Sequence, residues 1–332
     1  MTDQHKLKNA IIDRAVLVDR YMHEDLDAIR GKVDDLLLEV LDYGLFNGGK
    51  RIRPLLVVLS SRLCGSNDQR VYQLATAFEY LHAATLFHDD VIDGAMSRRG
   101  KPAVNIKFGL IAAILAGDYL HARSMHIVGN IAGKEGLAIF CMATAGMVDG
   151  EFMQLRNSDS FSTSESGYYE TIMGKTGLLI AAACRVGALY GGGNPEQQER
   201  LHQYGVGLGC AFQMIDDLLD YTGDEQKTGK AVGNDLIEGK MTLPLILGWE
   251  QADSTDRACL EQILSDESLR KSEFSTVYGI LDKYGAFTET RARARQHVTE
   301  ALLQLETFSA PEGFEAKEIL TGLAGYVLER EK

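Results

Sequence analysis

Two short acidic runs hold the side chains best suited to chemistry: Asp89-Asp90-Val91-Ile92-Asp93 and Asp216-Asp217-Leu218-Leu219-Asp220, both of the form D-D-x-x-D. On a helix Asp89 and Asp93 lie one turn apart on a single face, and Asp216 and Asp220 do the same. Like charges at that spacing repel, by roughly a few tenths of a kcal/mol. Each run also closes an apolar segment, Ala83-Ala84-Thr85-Leu86-Phe87 or Cys210-Ala211-Phe212. Both therefore fall at expected helix C-termini, where the macrodipole disfavours anions. A bound cation explains a placement that is locally unfavourable. Hard carboxylate oxygens suit Mg2+, which takes one or two protein carboxylates and fills its shell with water and phosphate oxygens. Two such clusters facing each other would hold a diphosphate through several ions. One D-D-x-x-D alone reads more readily as a solvated helix end. A pair on apolar helices, accompanied by basic elements, leaves that reading little room.

The basic elements are short. Gly48-Gly49-Lys50-Arg51-Ile52-Arg53-Pro54 sets three cations beside two glycines ahead of a helix start. Glycine lets backbone approach a phosphate, and Lys and Arg supply charge-assisted hydrogen bonds. The P-loop spacing is absent, and by itself the segment reads equally as a solvated turn. Arg98-Arg99-Gly100-Lys101 follows the first acidic run by five residues, as salt-bridge partners of Asp93 or as the basic side of a diphosphate site. Lys175-Thr176 and Lys230, taken singly, are weaker signals.

These residues need helices to carry them. Apolar positions at helical spacing run through 9–42 (one or two helices), and an apolar helix is expected over 54–64 with Pro54 in its first turn. A long helix over 70–93 ends in the first acidic run, followed by a basic loop over 94–104. Further helices are expected near 105–130, 134–156, 167–190, 196–221 and 241–252, and onward to the C-terminus, with loops at 157–166 and 191–194. No linker-like tract divides the chain, so a single domain over 1–332 is expected.

Composition sets the outer bounds. The 332 residues are 45% apolar and 24% charged, ordinary for a globular protein. The net charge of −13 argues against nucleic acid as a partner. The five cysteines, Cys64, Cys141, Cys184, Cys210 and Cys259, are dispersed and odd in number. That pattern fits reduced thiols and a cytoplasmic location better than disulfides or structural zinc. No uncharged apolar run reaches the roughly 18 residues that span a bilayer, so at most peripheral membrane contact is expected.

Taken together, GGKRIRP (48–54), EYLHAATLFHDDVID (79–93), SRRGKP (97–102), GEFMQL (150–155), GKT (174–176), FQMIDDLLD (212–220) and TGKAVGNDLIEGKMTLPLI (228–246) resemble the trans-isoprenyl diphosphate synthases, or polyprenyl synthetases. The resemblance covers about 45–250, with the motifs in the family's order. It implies an all-α, isoprenoid-synthase-type helical bundle around a central hydrophobic cavity. It also implies magnesium-dependent condensation of isopentenyl diphosphate with an allylic prenyl diphosphate, and a homodimer. By the same resemblance Asp89, Asp93 and Asp216 are magnesium ligands, supported by Asp90, Asp217 and Asp220. Lys50, Arg53, His82 and Arg99 form the isopentenyl diphosphate site. Arg98, Lys175, Lys230 and Lys240 grip the allylic diphosphate, and Thr176 and Gln213 lie beside the developing cation. His88 carries no such role and is expected to pack at the helix end.

Product length is read from the helix before Asp89. A chain anchored at the metals and running back along it meets Thr85, Ala84 and Leu81. Ala84 and Thr85 are small, where short-chain members of the family carry aromatics. The sequence thus resembles long-chain members, those making quinone side chains. In the alternative, a short farnesyl or geranylgeranyl product, the floor comes from residues such as Phe87, Met142 or Met147. Three further readings compete. A terpenoid cyclase usually carries a different second motif and needs no GGKRIRP site. A non-catalytic partner subunit typically loses its acidic motifs, and both are present. A calcium-binding scaffold leaves the basic motifs unexplained.

Overall fold

A computed structural model describes residues 2–160, 164–223 and 232–330, with backbone alone for 2–8 and 157–160. The described chain is almost wholly helical. In order it forms α1 (Thr2–Ile29), α2 (Asp35–Leu45), α3 (Ile52–Leu63), α4 (Arg70–Ile92), a ribbon of β1 (Ser97–Arg98) and β2 (Lys101–Pro102), α5 (Val104–Phe108) and α6 (Leu110–Ser160). Then follow α7 (Glu165–Ile172), a π-helical turn (Met173–Gly177), α8 (Leu178–Tyr190), α9 (Pro195–Thr222), α10 (Asn234–Ile237) and α11 (Leu243–Gln251). Helices α12 (Ser254–Leu264), α13 (Glu267–Ser272), α14 (Phe274–Lys283), α15 (Ala286–Leu305) and α16 (Phe314–Leu328) complete it.

These elements group into two compact units, each drawn from three stretches: 1–142, 182–201 and 308–320 in the first, 143–181, 202–307 and 321–332 in the second. Because both units are discontinuous in sequence, no linker marks the division.

In the first unit α1 is fastened to α4 and α6 through Asp25. Its carboxylate accepts from Tyr80 Oη (3.1 Å) and from Arg123 Nε (3.1 Å). All three side chains come from different helices, so one buried acid fixes three helix positions. The core between them is filled by Tyr72, Phe78 and Phe140, each almost wholly buried. Phe78 meets Phe140 edge-on at 5.2 Å, the geometry aromatic pairs prefer.

Several expected boundaries move. The expected loop at 157–166 is shorter, because α6 continues to Ser160. The expected break between 130 and 134 is present inside α6, at Gly133, whose φ of 68° and ψ of −165° no helix can contain. The expected basic loop over 94–104 is a hairpin that leads into α5. Its two turn residues, Arg99 (φ 52°) and Gly100 (φ 77°), are both left-handed. That is the turn whose twist matches paired strands. The expected helix over 167–190 is interrupted by the π-turn at 173–177.

Among the described residues, two helices are long and apolar enough to cross a membrane by length and composition. The apolar window of Glu165–Tyr190 is 72% buried, that of Leu110–Arg156 only 28%. The former is core, whereas the latter leaves a large apolar face uncovered.

Candidate active site

The first unit gathers the basic motifs against α4. The hairpin is pinned to the end of α2: Tyr43 Oη donates to the Pro102 carbonyl (2.7 Å) and Lys101 Nζ to Asn47 Oδ1 (2.9 Å). That anchoring delivers Arg99 to the glycine loop. Gly49 has a φ of 148° that favours glycine, and a Cβ there would lie 3.0 Å from Arg99 Nη1, so the guanidinium rests close against this backbone. Lys50 follows at the exposed rim. Arg53, at the start of α3, buries its Nε without a hydrogen-bond partner. A buried donor left unsatisfied costs free energy, which an anionic ligand would relieve. His82 on α4 completes the set. Burial, then the charges of Arg53, Arg99, Arg98 and Arg51, hold it well below its usual pKa. It is a neutral imidazole at physiological pH, a hydrogen-bonding group among cations.

The first acidic run ends α4, with Asp93 as its C-cap. The three carboxylates are not equivalent. Asp89 is half-buried and Asp93 exposed, whereas Asp90 is buried. Arg98 clasps Asp90 in a fork, its Nε 2.9 Å from Oδ1 and its Nη2 2.6 Å from the same oxygen. A candidate metal ligand and a candidate phosphate grip thus neutralise each other here, which makes Asp90 an anchor for Arg98. Asn105 Nδ2 donates to the Asp90 carbonyl (2.9 Å) and fixes the turn behind it. His88 sits at the helix end as expected, its Nε2 3.2 Å from the Ile114 carbonyl. On the preceding turns Leu81 and Ala84 are buried and Thr85 is half-buried. Phe87 points into α2, where its ring replaces any side chain at Gly44.

The second unit holds the other acidic run, at the end of α9. A hydrogen-bond chain links three expected site residues: Thr176 Oγ1 donates to Gln213 Oε1 (2.9 Å), and Gln213 Nε2 donates to Asp217 Oδ1 (2.8 Å). Tyr168 Oη closes the other carboxylate oxygen of Asp217 at 2.6 Å. The π-turn makes this possible. Its Gly174 touches Gly150 of α6 so closely that a Cβ on Gly150 would sit 2.5 Å from the Lys175 nitrogen. Lys175 is then held by Glu151 (2.9 Å) and by Gln154 (3.3 Å). A single π-turn inside a helix is frequently a functional device.

Asp216 pairs with Arg330 Nη2 at 3.2 Å. Asp220 accepts from the Asp235 amide at 3.0 Å and so ties down the segment carrying Asp235 and Lys240, themselves paired at 3.2 Å. Lys230 lies outside the described residues. Burial first, then the charge of Asp235, pushes Asp217 up to about 7 and Asp220 up to about 6. Carboxylates this short of positive charge fit a divalent cation. Among the described residues no three His, Cys, Asp or Glu side chains form a metal cage by themselves. An ion held here would need water and substrate oxygens to complete its shell, which suits Mg2+.

Residues that pattern alone does not single out are Arg51, Glu79, Glu151, Asp235, Tyr168 and Arg330. The first four lie inside the motifs, whereas Tyr168 and Arg330 carry no signal in the sequence. The neutrality of His82 has a consequence for stability. An unfolded histidine takes a proton near 6.5, whereas folded His82 resists it, so stability is lost as the pH falls through that value. The chain with His82→Gln loses less. Thermal unfolding at about pH 7.5 and about pH 5 measures the two losses; equal losses would show that the fold does not hold His82 neutral.

Comparison with known proteins agrees with this geometry. The polyprenyl synthetase family matches residues 34–281. A short chain isoprenyl diphosphate synthase of Methanothermobacter thermautotrophicus is 37% identical, over 92% of this chain and 95% of its own. An octaprenyl diphosphate synthase of Escherichia coli is 34% identical, over 90% and 92%. A polyprenyl synthase of Caulobacter crescentus, solved with calcium and isoprenyl diphosphate, superposes with a TM-score of 0.89 at 32% identity, covering 99% of this chain and 98% of that one. Enzymes of this family use Mg2+. Matched along nearly its whole length in sequence and in fold, the chain belongs to the polyprenyl synthetase family and is a prenyltransferase, a trans-prenyl diphosphate synthase acting on isoprenyl diphosphates.

Proposed function

We propose that the chain builds a long all-trans polyprenyl diphosphate by repeated head-to-tail (1′-4) condensation of isopentenyl diphosphate onto an allylic diphosphate. The observation that carries this reading is the pair Ala84 and Thr85 one turn before the first acidic run, neither of them aromatic. The nearest phenyl and phenol rings on α4 are committed elsewhere, Tyr80 to Asp25, Phe78 to Phe140 and Phe87 to the Gly44 position. The 23 residues of α4 extend for roughly 34 Å, a length suited to many isoprene units. The burial of Leu81 and Ala84 favours a second reading, a short product whose tail stops before them.

In this mechanism Lys50, Arg53, His82 and Arg99 hold isopentenyl diphosphate. Arg98, positioned by Asp90, grips the allylic diphosphate together with Lys175, Lys230 and Lys240. Asp89, Asp93 and Asp216 would hold magnesium, with Asp217 and Asp220 in support, and magnesium bound there would supply positive charge to the departing diphosphate. Thr176 and Gln213 turn oxygen lone pairs toward the allylic carbon as its C–O bond breaks. The isopentenyl double bond then attacks that carbon. The proton lost afterwards goes to the released diphosphate, so no side chain is needed as the base. Exclusion of water by the apolar surroundings protects the cation from quenching. Turnover needs both acidic runs, which separates this enzyme from a non-catalytic partner subunit.

The purified chain, supplied with magnesium, isopentenyl diphosphate and a series of allylic primers, is expected to yield products longer than geranylgeranyl diphosphate. Ala84→Tyr is expected to shorten them while condensation continues. Products that end at farnesyl or geranylgeranyl in the unaltered chain would establish the short-chain reading, and no consumption of isopentenyl diphosphate would reject both.

The uncovered apolar face of α6 supports a homodimer. Leu110, Ile111, Ile114 and Leu115 are exposed near its start, and Val148, Phe152 and Leu155 share one face near its end. Clusters of exposed apolar side chains such as these mark protein interfaces. Sedimentation equilibrium is expected to give twice the chain mass, and the double variant Ile111→Asp, Leu115→Asp is expected to give a monomer. A monomeric unaltered chain would contradict this. The five free cysteines are in keeping with a cytoplasmic location.

A further inference from the structure

We propose that Arg51, which makes no substrate contact, is the positioning residue of the isopentenyl diphosphate site: its guanidinium clamps the left-handed turn that sets Lys50 and Arg53 in place. This rests on the reading that Lys50, Arg53, His82 and Arg99 hold that substrate. Arg51 has φ 49° and ψ 38° at the start of α3, with no side-chain cap on the helix. Among the described residues only Arg51 and Arg99 are non-glycine residues with positive φ, and both belong to this site. A side chain with a Cβ disfavours that backbone, which persists only where the surroundings over-determine it.

The surroundings here are explicit. Arg51 Nε donates to Asp19 on α1 (2.8 Å), Nη1 to Glu79 on α4 (2.6 Å) and Nη2 to the Leu45 carbonyl at the end of α2 (2.7 Å). Every guanidinium nitrogen is thus engaged with protein, and the side chain is 4% exposed, so it turns away from any ligand. Glu79 stands one turn before His82 on α4. The clamp therefore fixes the start of α3 against the helix that carries the site's imidazole. Lysine at position 51 would keep the charge but has a single nitrogen for three acceptors.

Glu79 gives the test its sign. Its charge faces Arg51, Arg53 and Arg99. As a mere field source it weakens anion binding, so Glu79→Gln would lower the KM for isopentenyl diphosphate. As half of the clamp it preserves the site, so the same change raises that KM. Arg51→Lys and Glu79→Gln are each expected to raise the isopentenyl diphosphate KM about tenfold or more while the allylic KM moves less than about twofold. Arg51→Lys within twofold of the unaltered chain, a fall in KM for Glu79→Gln, or a parallel rise in both KM values would overturn the proposal. If Arg51→Lys does not fold, Asp19→Asn, at a carboxylate 40% exposed, carries the same test: a selective rise supports the clamp and an unchanged KM overturns it. Lys50→Ala serves as the control. An unchanged isopentenyl KM in that variant would reject the site itself, whereas a raised one beside a normal Arg51→Lys rejects only the clamp.

Discussion

Charge held where helix geometry resists it is the constraint on which the other features depend. Asp89, Asp93, Asp216 and Asp220 all lie in the last turns of apolar helices, at the end of the macrodipole that repels anions. The protein compensates this only in part. Asp90 has Arg98, Asp216 has Arg330 and Asp235 has Lys240, yet Asp217 and Asp220 remain pushed up into the neutral and mildly acidic range. Burial first, then the charge of Asp235, raises both, and under the proposed function a divalent ion bridging to a diphosphate would offset that cost.

The basic residues show the complementary arrangement. Arg51 is saturated by three acceptors, whereas Arg53 leaves a buried donor unpaired and Arg99 is folded onto bare glycine backbone. One arginine of the motif is spent on structure so that its neighbours stay available. Stability and function are divided between adjacent residues of the same sequence motif. Backbone strain follows the same division, since the left-handed arginines, Arg51 and Arg99, both border the proposed isopentenyl site.

Much of this was legible in the sequence. The two D-D-x-x-D runs, the glycine-lysine-arginine segment and the long apolar periodicities locate α2, α3, α4 and α9 and the residues at their ends. What stayed hidden is long-range or conformational. The hairpin at 97–102 escapes notice because Arg-Gly is an unusual pair for a turn that favours Asn-Gly. The π-turn leaves the helical periodicity almost intact, and only the Gly150–Gly174 approach explains it. Pattern ranks Asp89, Asp90 and Asp93 by position, yet burial beside Arg98 sets Asp90 apart. Tyr168 and Arg330 reach Asp217 and Asp216 across 49 and 114 residues, distances at which no local spacing carries information. Product length is encoded in how side chains on α4 pack, which is why Ala84 and Thr85 suggest it without fixing it.

The central claim is that the two acidic runs act together through divalent ions on one diphosphate. The most direct measurement is steady-state condensation by Asp89→Ala, Asp216→Ala and the double variant across a magnesium series, with circular dichroism confirming that each remains folded. Each single change is expected to lower kcat/KM by roughly a hundredfold or more and to raise the magnesium concentration needed for half-maximal rate. A folded double variant that turns over isopentenyl diphosphate at the unaltered rate, with unchanged magnesium dependence, would contradict it.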